Sequence, residues 1–420
     1  MREDIKKRIE AVRQGDIPEG YLRTRAGMMP LDWQSNLSAK DIFRNHTNKK
    51  HNGEFQVLSA TQDRGIIPRS EVDIDIKYAE ENIGSYKKVE AGDFVISLRS
   101  FQGGIEYSEY EGLVSQAYTV LKATRPISDN YYRAYFKTPD FISRLNGAVY
   151  GIRDGKQIGF EDFGELAVHY PPLAEQQKIA EILATCDRVI ELKQQLLEEK
   201  RRQRQWLMQK LLSGEIKVSQ CSGEYKTMKV RDLADSLTGF PFDSDAFSED
   251  GIRLMRCGNI GSGKTTWESK VTVFWPTTDS KLASFALQTG DVVIGMDGAS
   301  VGKSCAMITD VDLPCYLVQR VTRLRSAYPV LLFQWFRSAK FIDYVKSRKT
   351  VTAIPHISEQ DILEFEICVP QDDVSIRRIE CILSNADKVI SAMEKEIAEW
   401  QQKKKALMQL LLTGLVRVNA

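Results

Sequence analysis

Apolar residues recur along two stretches of the chain at alternating three- and four-residue spacing. The first set is Ile179, Ile182, Leu183, Cys186, Val189, Ile190, Leu196, Leu197, Leu207 and Leu211. The second is Ile379, Ile382, Leu383, Ala386, Val389, Ile390, Met393, Ile397, Trp400, Leu407 and Leu411. That spacing keeps one face of an α-helix apolar and predicts a coiled-coil seam. Proline precedes each stretch (Pro171 and Pro172; Pro370), and Gly214 and Gly414 stand where a left-handed C-terminal cap is expected. About 40 residues lie between these signals, which predicts helices of ~60 Å. In the first stretch the polar run K-R-R-Q-R (200–204) interrupts the stripe.

The two stretches are one element written twice. Residues 179–218 align with 379–418 at an offset of 200 without a gap, and 14 of the 40 positions are identical, down to the shared ending L-M-Q-x-L-L-[ST]-G. The segments ahead of them repeat more weakly. A-G-D-F-V-I (Ala91–Ile96) matches T-G-D-V-V-I (Thr289–Ile294), each a turn feeding a β-branched strand. Tyr135, Phe136, Phe141, Ile142 and Leu145 match Trp335, Phe336, Phe341, Ile342 and Val345, and Phe163–Pro171 pairs with Ile362–Pro370. The expected organisation is an N-terminal helical segment (1–19), a globular block (20–170), a long helix (171–218), a second block (219–369) and a second long helix (370–420). Short strands mix with short helices inside each block, so the fold class is α+β, two mixed α/β domains joined by two repeated helices.

Composition narrows the function. A chain of 420 residues suggests two or three domains, and 42% hydrophobic with 27% charged residues is ordinary for a globular protein with real cores. Lys and Arg number 58 against 57 Asp and Glu, so any binding of nucleic acid must rest on local patches. The opening M-R-E-D-I-K-K-R-I-E-A-V has no apolar core of a secretory signal, and the run Tyr328–Phe336 has about half the length of a membrane span. A cytoplasmic protein without membrane contact is expected. The cysteines (Cys186, Cys221, Cys257, Cys305, Cys315, Cys368, Cys381) lack C-x-x-C spacing, and His46, His51, His169 and His356 add no zinc pattern. Reduced thiols and no metal site are the expectation.

G-N-I-G-S-G-K-T (Gly258–Thr265) fits the phosphate-cradling loop of nucleotide-binding proteins, and V-V-I-G-M-D ending at Asp297 imitates its acidic partner strand. Such a loop must open into a helix whose N-terminal amides hold the phosphate. Thr266–Pro276 is instead β-branched, aromatic and alternating, which predicts a strand, and the matching stretch Leu58–Ile67 has no G-K-[ST]. A nucleotide hydrolase using Lys264, Thr265 and Asp297 is therefore the lesser reading. With no nucleophile elbow, H-E-x-x-H, glycine-rich dinucleotide fingerprint or amino-methyltransferase tetrapeptide, the chain does not read as an enzyme. A coiled-coil scaffold is the other alternative, but it leaves the duplicated blocks unexplained.

Local charge is more informative than the total. Arg320, Arg323, Arg325, Arg337, Lys340, Lys346, Arg348 and Lys349 cluster in the second block, and Lys122, Arg125, Arg133, Lys137, Arg144, Arg153 and Lys156 in the first. Equivalent basic segments predict two phosphate-binding surfaces. The interleaved Phe136, Phe141, Phe336 and Phe341 are read as core residues of amphipathic helices.

With these features together, the chain resembles the specificity subunits of type I restriction–modification systems. The resemblance rests on P-P-L-A-E-Q-Q-K-I-A-E-I-L (Pro171–Leu183), L-M-Q-K-L-L-S-G (Leu207–Gly214), its copy Leu407–Gly414, I-P-H-I-S (Ile354–Ser358) and the block–helix–block–helix order. The second copy departs from it, with P-Q-D-D-V-S-I-R-R-I (Pro370–Ile379) ahead of the helix. The resemblance implies two target-recognition domains in pseudo-two-fold arrangement, each reading half of a split site in double-stranded DNA. It also implies an antiparallel helix pair that docks two methyltransferase subunits, and a further restriction–translocation subunit. S-adenosylmethionine, ATP and magnesium then belong to those partners, none to this chain. Expected DNA contacts lie in four loops: Arg99, Ser100 and Gln102; Arg153, Lys156 and Gln157; Asp297, Ser300 and Lys303; and Arg348, Lys349, Thr350, Thr352 and His356. Helix and partner contacts are expected at Ile179, Ile182, Val189, Leu196, Leu207, Leu211, Ile379, Ile382, Val389, Met393, Leu407 and Leu411.

Overall fold

The computed structural model describes residues 3–72, 80–98, 100–148, 158–218, 224–348 and 355–418. Both predicted helices form as single elements, Leu173–Leu212 and Asp373–Leu412. Each ends at its glycine, with Gly214 at φ 75° and Gly414 at φ 72°. The amide of Ile216 donates to the Lys210 carbonyl at 3.2 Å and that of Val416 to Leu410 at 3.0 Å, the six-residue closure of a left-handed cap. A tyrosine seals each end: the Tyr225 hydroxyl donates to the Leu211 carbonyl, and the Tyr21 hydroxyl to that of Gly414.

Contacts divide the chain into two compact units, residues 1–192 with 397–420, and residues 193–396. The sequence blocks and helices were expected in succession, whereas this division cuts both long helices near their middles. In the first unit Lys404 pairs with Asp187. In the second, Lys193 pairs with Glu396 at 2.7 Å, Arg201 with Glu394 at 2.5 Å and Arg204 with Asp387 at 3.0 Å. Ascending numbers on one helix meet descending numbers on the other, so the helices are antiparallel in the second unit.

Each unit has the same central sheet. In the first, Phe43–Asn45, Thr119–Ala123, Phe94–Ile96 and Glu106–Tyr107 lie in that spatial order, all neighbours antiparallel. In the second the order is Ala234–Thr238, Val321–Ser326, Val292–Gly295 and Cys305–Met307. Register agrees too: Thr119 faces Ile96 as Thr322 faces Ile294. Helices Asp129–Tyr135 and Pro139–Ala148 recur as Pro329–Phe336 and Ala339–Arg348. The duplication seen faintly in sequence is therefore a duplication of topology.

The aromatic residues of these helices form the cores. Phe136, Phe141, Phe336 and Phe341 are all buried, as read from their helical spacing. The first core is largely ring on ring, with Phe43, Phe94, Tyr131, Tyr132, Tyr135 and Phe163 around Phe136. The second uses Phe336, Phe341 and Phe365 with many aliphatic residues.

The helical seam corrects the sequence reading by one position in places. Ile179, Leu183, Ile190, Leu197, Met208 and Leu211 are buried on the first helix, and Ile379, Leu383, Ile397 and Leu411 on the second. Ile182, Val189, Leu207, Ile382, Met393 and Leu407 are half-buried, while Leu196 and Val389 are about half exposed. Where two apolar residues adjoin, the 3-4 pattern admits either, and the packing selects Ile190 over Val189 and Leu197 over Leu196. Arg204, inside the run taken to be free of the stripe, is in fact buried in it.

Candidate nucleic-acid interface

The expected contact loops of the second unit converge at one end of its sheet. Strand Val292–Gly295 runs into the loop 296–304, which returns through Cys305–Met307. The loop is fixed at both sides. The Met296 amide donates to the Arg320 carbonyl at 2.9 Å, that of Gly298 to Pro355 at 3.1 Å, and that of Ile357 to Met296 at 3.0 Å. Asp297 and His356, 59 residues apart, bond through Oδ1 and Nδ1. The other oxygen of Asp297 takes the Arg320 guanidinium at 3.1 Å. Gly302, at φ 86°, comes so near helix Ala339–Arg348 that a Cβ there would stand 3.0 Å from Val345. Ser300 and Lys303 are left exposed on the outside of this loop. Arg348 lies at the helix end, over the Tyr344 ring and 3.8 Å from Asp361.

The first unit repeats the device after strand Phe94–Ile96. Gly104, at φ 84°, packs against the Phe136 carbonyl as Gly302 packs against Val345. Gln102 is exposed there. Ser100 is not a surface residue: it is 1% exposed, and its hydroxyl oxygen accepts from the Ser97 amide at 2.8 Å. Its chemistry is consumed in shaping the turn. Arg99, Arg153, Lys156, Gln157, Lys349, Thr350 and Thr352 lie outside the described residues.

The two basic segments look different once folded. Arg323 pairs with Asp235, Arg325 with Asp291 and Arg337 with Asp387. In the first unit Lys122 pairs with Glu90, Arg133 with Glu109, Lys137 with Glu106 and Arg144 with Asp140. Most of these charges thus have carboxylate partners in their own unit, supplied from distant sequence except in the i,i+4 pair of Arg144 with Asp140. Arg348 of the second segment stays exposed beside Asp361, and Lys303, outside both segments, is exposed on the loop 296–304.

The G-N-I-G-S-G-K-T stretch is a tight turn, with no helix after it. The Gly261 amide donates to the Lys264 carbonyl at 2.9 Å and the Gly263 amide to Cys305 at 2.8 Å. Thr265 Oγ1 donates to Asp312 at 2.6 Å. Amides that a phosphate would need are already engaged, and the threonine hydroxyl is turned to another partner. The strand expected over Thr266–Pro276 is confined to Phe274–Trp275, because Thr265 and Trp267 are both drawn to Asp312.

Comparison with known proteins gives one consistent set of similarities. Residues 34–200 match the type I restriction modification DNA specificity domain. The MjaVIII type I restriction enzyme specificity subunit of Methanocaldococcus jannaschii is 24% identical over 349 residues, 79% of this chain and 80% of its own length. The EcoAI specificity subunit of Escherichia coli is 28% identical over 217 residues, 50% of this chain and 35% of its own. A crystal structure of the type I restriction–modification S subunit from M. genitalium superposes with a TM-score of 0.53 at 13% identity, over 92% of this chain and 97% of that one. Residues 34–200 thus carry a type I specificity domain, and the chain as a whole is similar to type I restriction–modification specificity subunits. Members of that family are DNA-recognition subunits without catalytic activity, in keeping with a sequence whose nearest approach to a catalytic motif is the turn at Gly258–Thr265. The fold expected from the sequence, two mixed α/β domains with long repeated helices, is the one observed. Among the described residues no helix is long and apolar enough to cross a membrane.

Proposed function

We propose that this chain acts as a type I restriction–modification specificity subunit, reading a split site in double-stranded DNA with one half-site per unit and holding methyltransferase subunits on its long helices. The observation that carries the reading is the duplicated sheet with its loop braced by a positive-φ glycine, repeated in topology while the loop side chains differ. A repeated frame with unlike loops is suited to presenting two unlike half-sites, since base-edge contacts depend on a few side chains and their directions. Leu192, Leu196 and Val389 remain about half exposed on the helices, apolar surface that suits protein partners. The methyl donor S-adenosylmethionine would then sit on the methyltransferase subunits, and ATP with magnesium on a restriction–translocation subunit, in the cytoplasm with the chromosome. Methylation requires extrusion of the target adenine, a task for the catalytic partner.

The test is a map of methylated adenines in a host expressing this chain with its methyltransferase. A single split motif is expected. Exchanging residues 20–170 for a relative's equivalent block should change one half-site and leave the other. A continuous motif, or change in both halves, would sink the reading.

A further inference from the structure

We propose that Arg320 is a specificity-determining residue that reads a guanine in the half-site of the second unit. The inference rests on the DNA-reading role proposed above.

The alignment of the two sheets places Arg320 on a position where the copies differ. With Thr119 equivalent to Thr322, the turn Gln116–Ala117 corresponds to Gln319–Arg320. The turn leads into the central strand in both copies, yet only one presents an arginine. Arg320 also has φ 69°, a left-handed backbone that a residue with a Cβ adopts only with strain. Asn36 is the other non-glycine residue with positive φ among those described. The surroundings fix this conformation: the Arg320 carbonyl accepts from the Met296 amide at 2.9 Å and from the Cys257 thiol at 3.0 Å. A strained backbone held from two sides, carrying an exposed charged side chain, points to a side chain whose direction matters.

That direction is set by Asp297. One carboxylate oxygen takes an Nη of Arg320 at 3.1 Å, and the other is tied to His356. Unlike Arg323 and Arg325, whose carboxylates lie along the sheet, Arg320 keeps 60% of its side chain exposed despite its ion pair. A guanidinium has five N–H donors in a planar fork, so one buttressing carboxylate leaves a pair for a second planar acceptor. The acceptor pair that matches this fork on a base edge is O6 and N7 of guanine in the major groove. Lys303 and Ser300 are exposed on the loop that carries Asp297 and would take the neighbouring phosphates. Arg320 therefore supplies discrimination, and Asp297 acts as its positioning residue.

The experiment measures methylation rates by the complete complex with its methyltransferase on duplexes carrying each base at every half-site position. The wild-type complex should demand guanine at one position of the second unit's half-site. Arg320→Ala should lose roughly tenfold or more of that discrimination at this position alone. Arg320→Gly removes the backbone strain as well, so it should melt no lower than wild type and lose the same discrimination. Asp297→Asn should weaken preference at the same position to a smaller degree. The salt slope of binding should stay within about half a unit, since a base contact replaces no phosphate counterion. A slope reduced by about one unit, with every sequence weakened alike, would make Arg320 a phosphate contact and overturn the proposal. So would an unchanged base preference in both Arg320 variants. If the wild-type complex shows no split motif at all, the DNA-reading role itself fails, a result separate from either.

Discussion

The two units tie globular block to helix by different chemistry, although both inherit the same helix. In the second unit Asp387 is the centre. It accepts from Arg204 at 3.0 Å, from the Gln334 amide at 2.8 Å and from Arg337 at 3.2 Å, and Gln334 Oε1 in turn accepts from Arg204. The first unit keeps the equivalent helix pair as Asp187 and Lys404, but Ala134 and Lys137 stand where Gln334 and Arg337 would be. Lys137 is directed to Glu106 at 2.5 Å instead. The first unit makes its tie elsewhere. Arg417 forks onto Glu175 at 2.8 Å and Asp32 at 2.7 Å, Trp33 Nε1 donates to the same Glu175 at 2.9 Å, and Trp33 is 2% exposed. Duplication thus preserved the helix while both the place and the groups of its tie to the globular block changed.

The sharpest way to break this comparison is to remove the two equivalent aspartates in turn. Asp387→Ala strands Arg204, which is 8% exposed, beside Arg337 with no carboxylate between them. Burial and the like charge of Arg204 already lower the affinity of Arg337 for its proton. Losing one partner of a buried ionic network costs about 3 kcal/mol or more. Asp187→Ala removes an exposed pair and should cost no more than about 1 kcal/mol. Hydrogen exchange, read separately over 129–148 and 329–348, should show the second unit opening more readily in the first variant and almost no change in the other. Equal losses would mean that the buried network adds nothing.

Acid should separate the units in the opposite sense. His169 of the first unit corresponds to Cys368 of the second. Its ring is buried against Trp33 and Tyr135, and Nδ1 is 2.9 Å from the Leu412 carbonyl. Burial lowers its pKa from 6.5 to about 4, with the charge of Arg144 adding and the Leu412 carbonyl opposing. The unfolded histidine therefore binds a proton that the folded one refuses, and stability falls as pH drops from 6.5 towards 4. Each pH unit across that window removes about 1.4 kcal/mol, so the whole loss is about 3 kcal/mol. Exchange protection of the first unit should fall over the same range, and His169→Cys should flatten the fall. A decline that persists unchanged in the variant would assign it to other groups.

These residues also show what could be seen in the sequence and why the rest could not. Helix periodicity and terminal glycines are local signals, so both long helices were legible nearly to the residue. Aromatic spacing likewise identified Phe136, Phe141, Phe336 and Phe341 as core. Register within an apolar doublet is a tertiary choice, which is why Leu196 was favoured beside the buried Leu197. The role of Arg204 depends on Gln334 and Asp387, 130 and 183 residues away, and no local pattern announces it. The pairing of the basic segments was hidden for the same reason, since most of their carboxylates arrive from other parts of the chain. Of the contact loops, the meeting of Asp297 with His356 was anticipated only as two separate loops, and Arg320 only as one basic residue among several. The left-handed backbone that distinguishes it is set by its neighbours in space.

The smallest expected effect concerns the element that the units share. If helix length sets the spacer between half-sites, lengthening both helices should move the spacer and leave both half-sites intact. Arg204 excludes the basic run as the point of insertion, since displacing it would break the Asp387 network. Four residues placed between Glu199 and Lys200, and four between Ala392 and Met393, enter at about the same depth of the antiparallel pair, because Arg201 meets Glu394 and Lys193 meets Glu396. An insertion of four is a stutter, which unwinds the supercoil locally while keeping an apolar seam. It adds about 6 Å and rotates the remainder of the helix by about 40°, since four steps of 100° make 400°. DNA rises ~3.4 Å per base pair, so length alone allows one or two extra pairs. With 10–10.5 pairs per turn, each extra pair twists the duplex by about 35°, so rotation selects one. Methylation mapping should return the same two half-sites with a spacer one base pair longer. An unchanged spacer with full activity would show that the helices do not measure the DNA, and that each unit finds its half-site through flexibility between them.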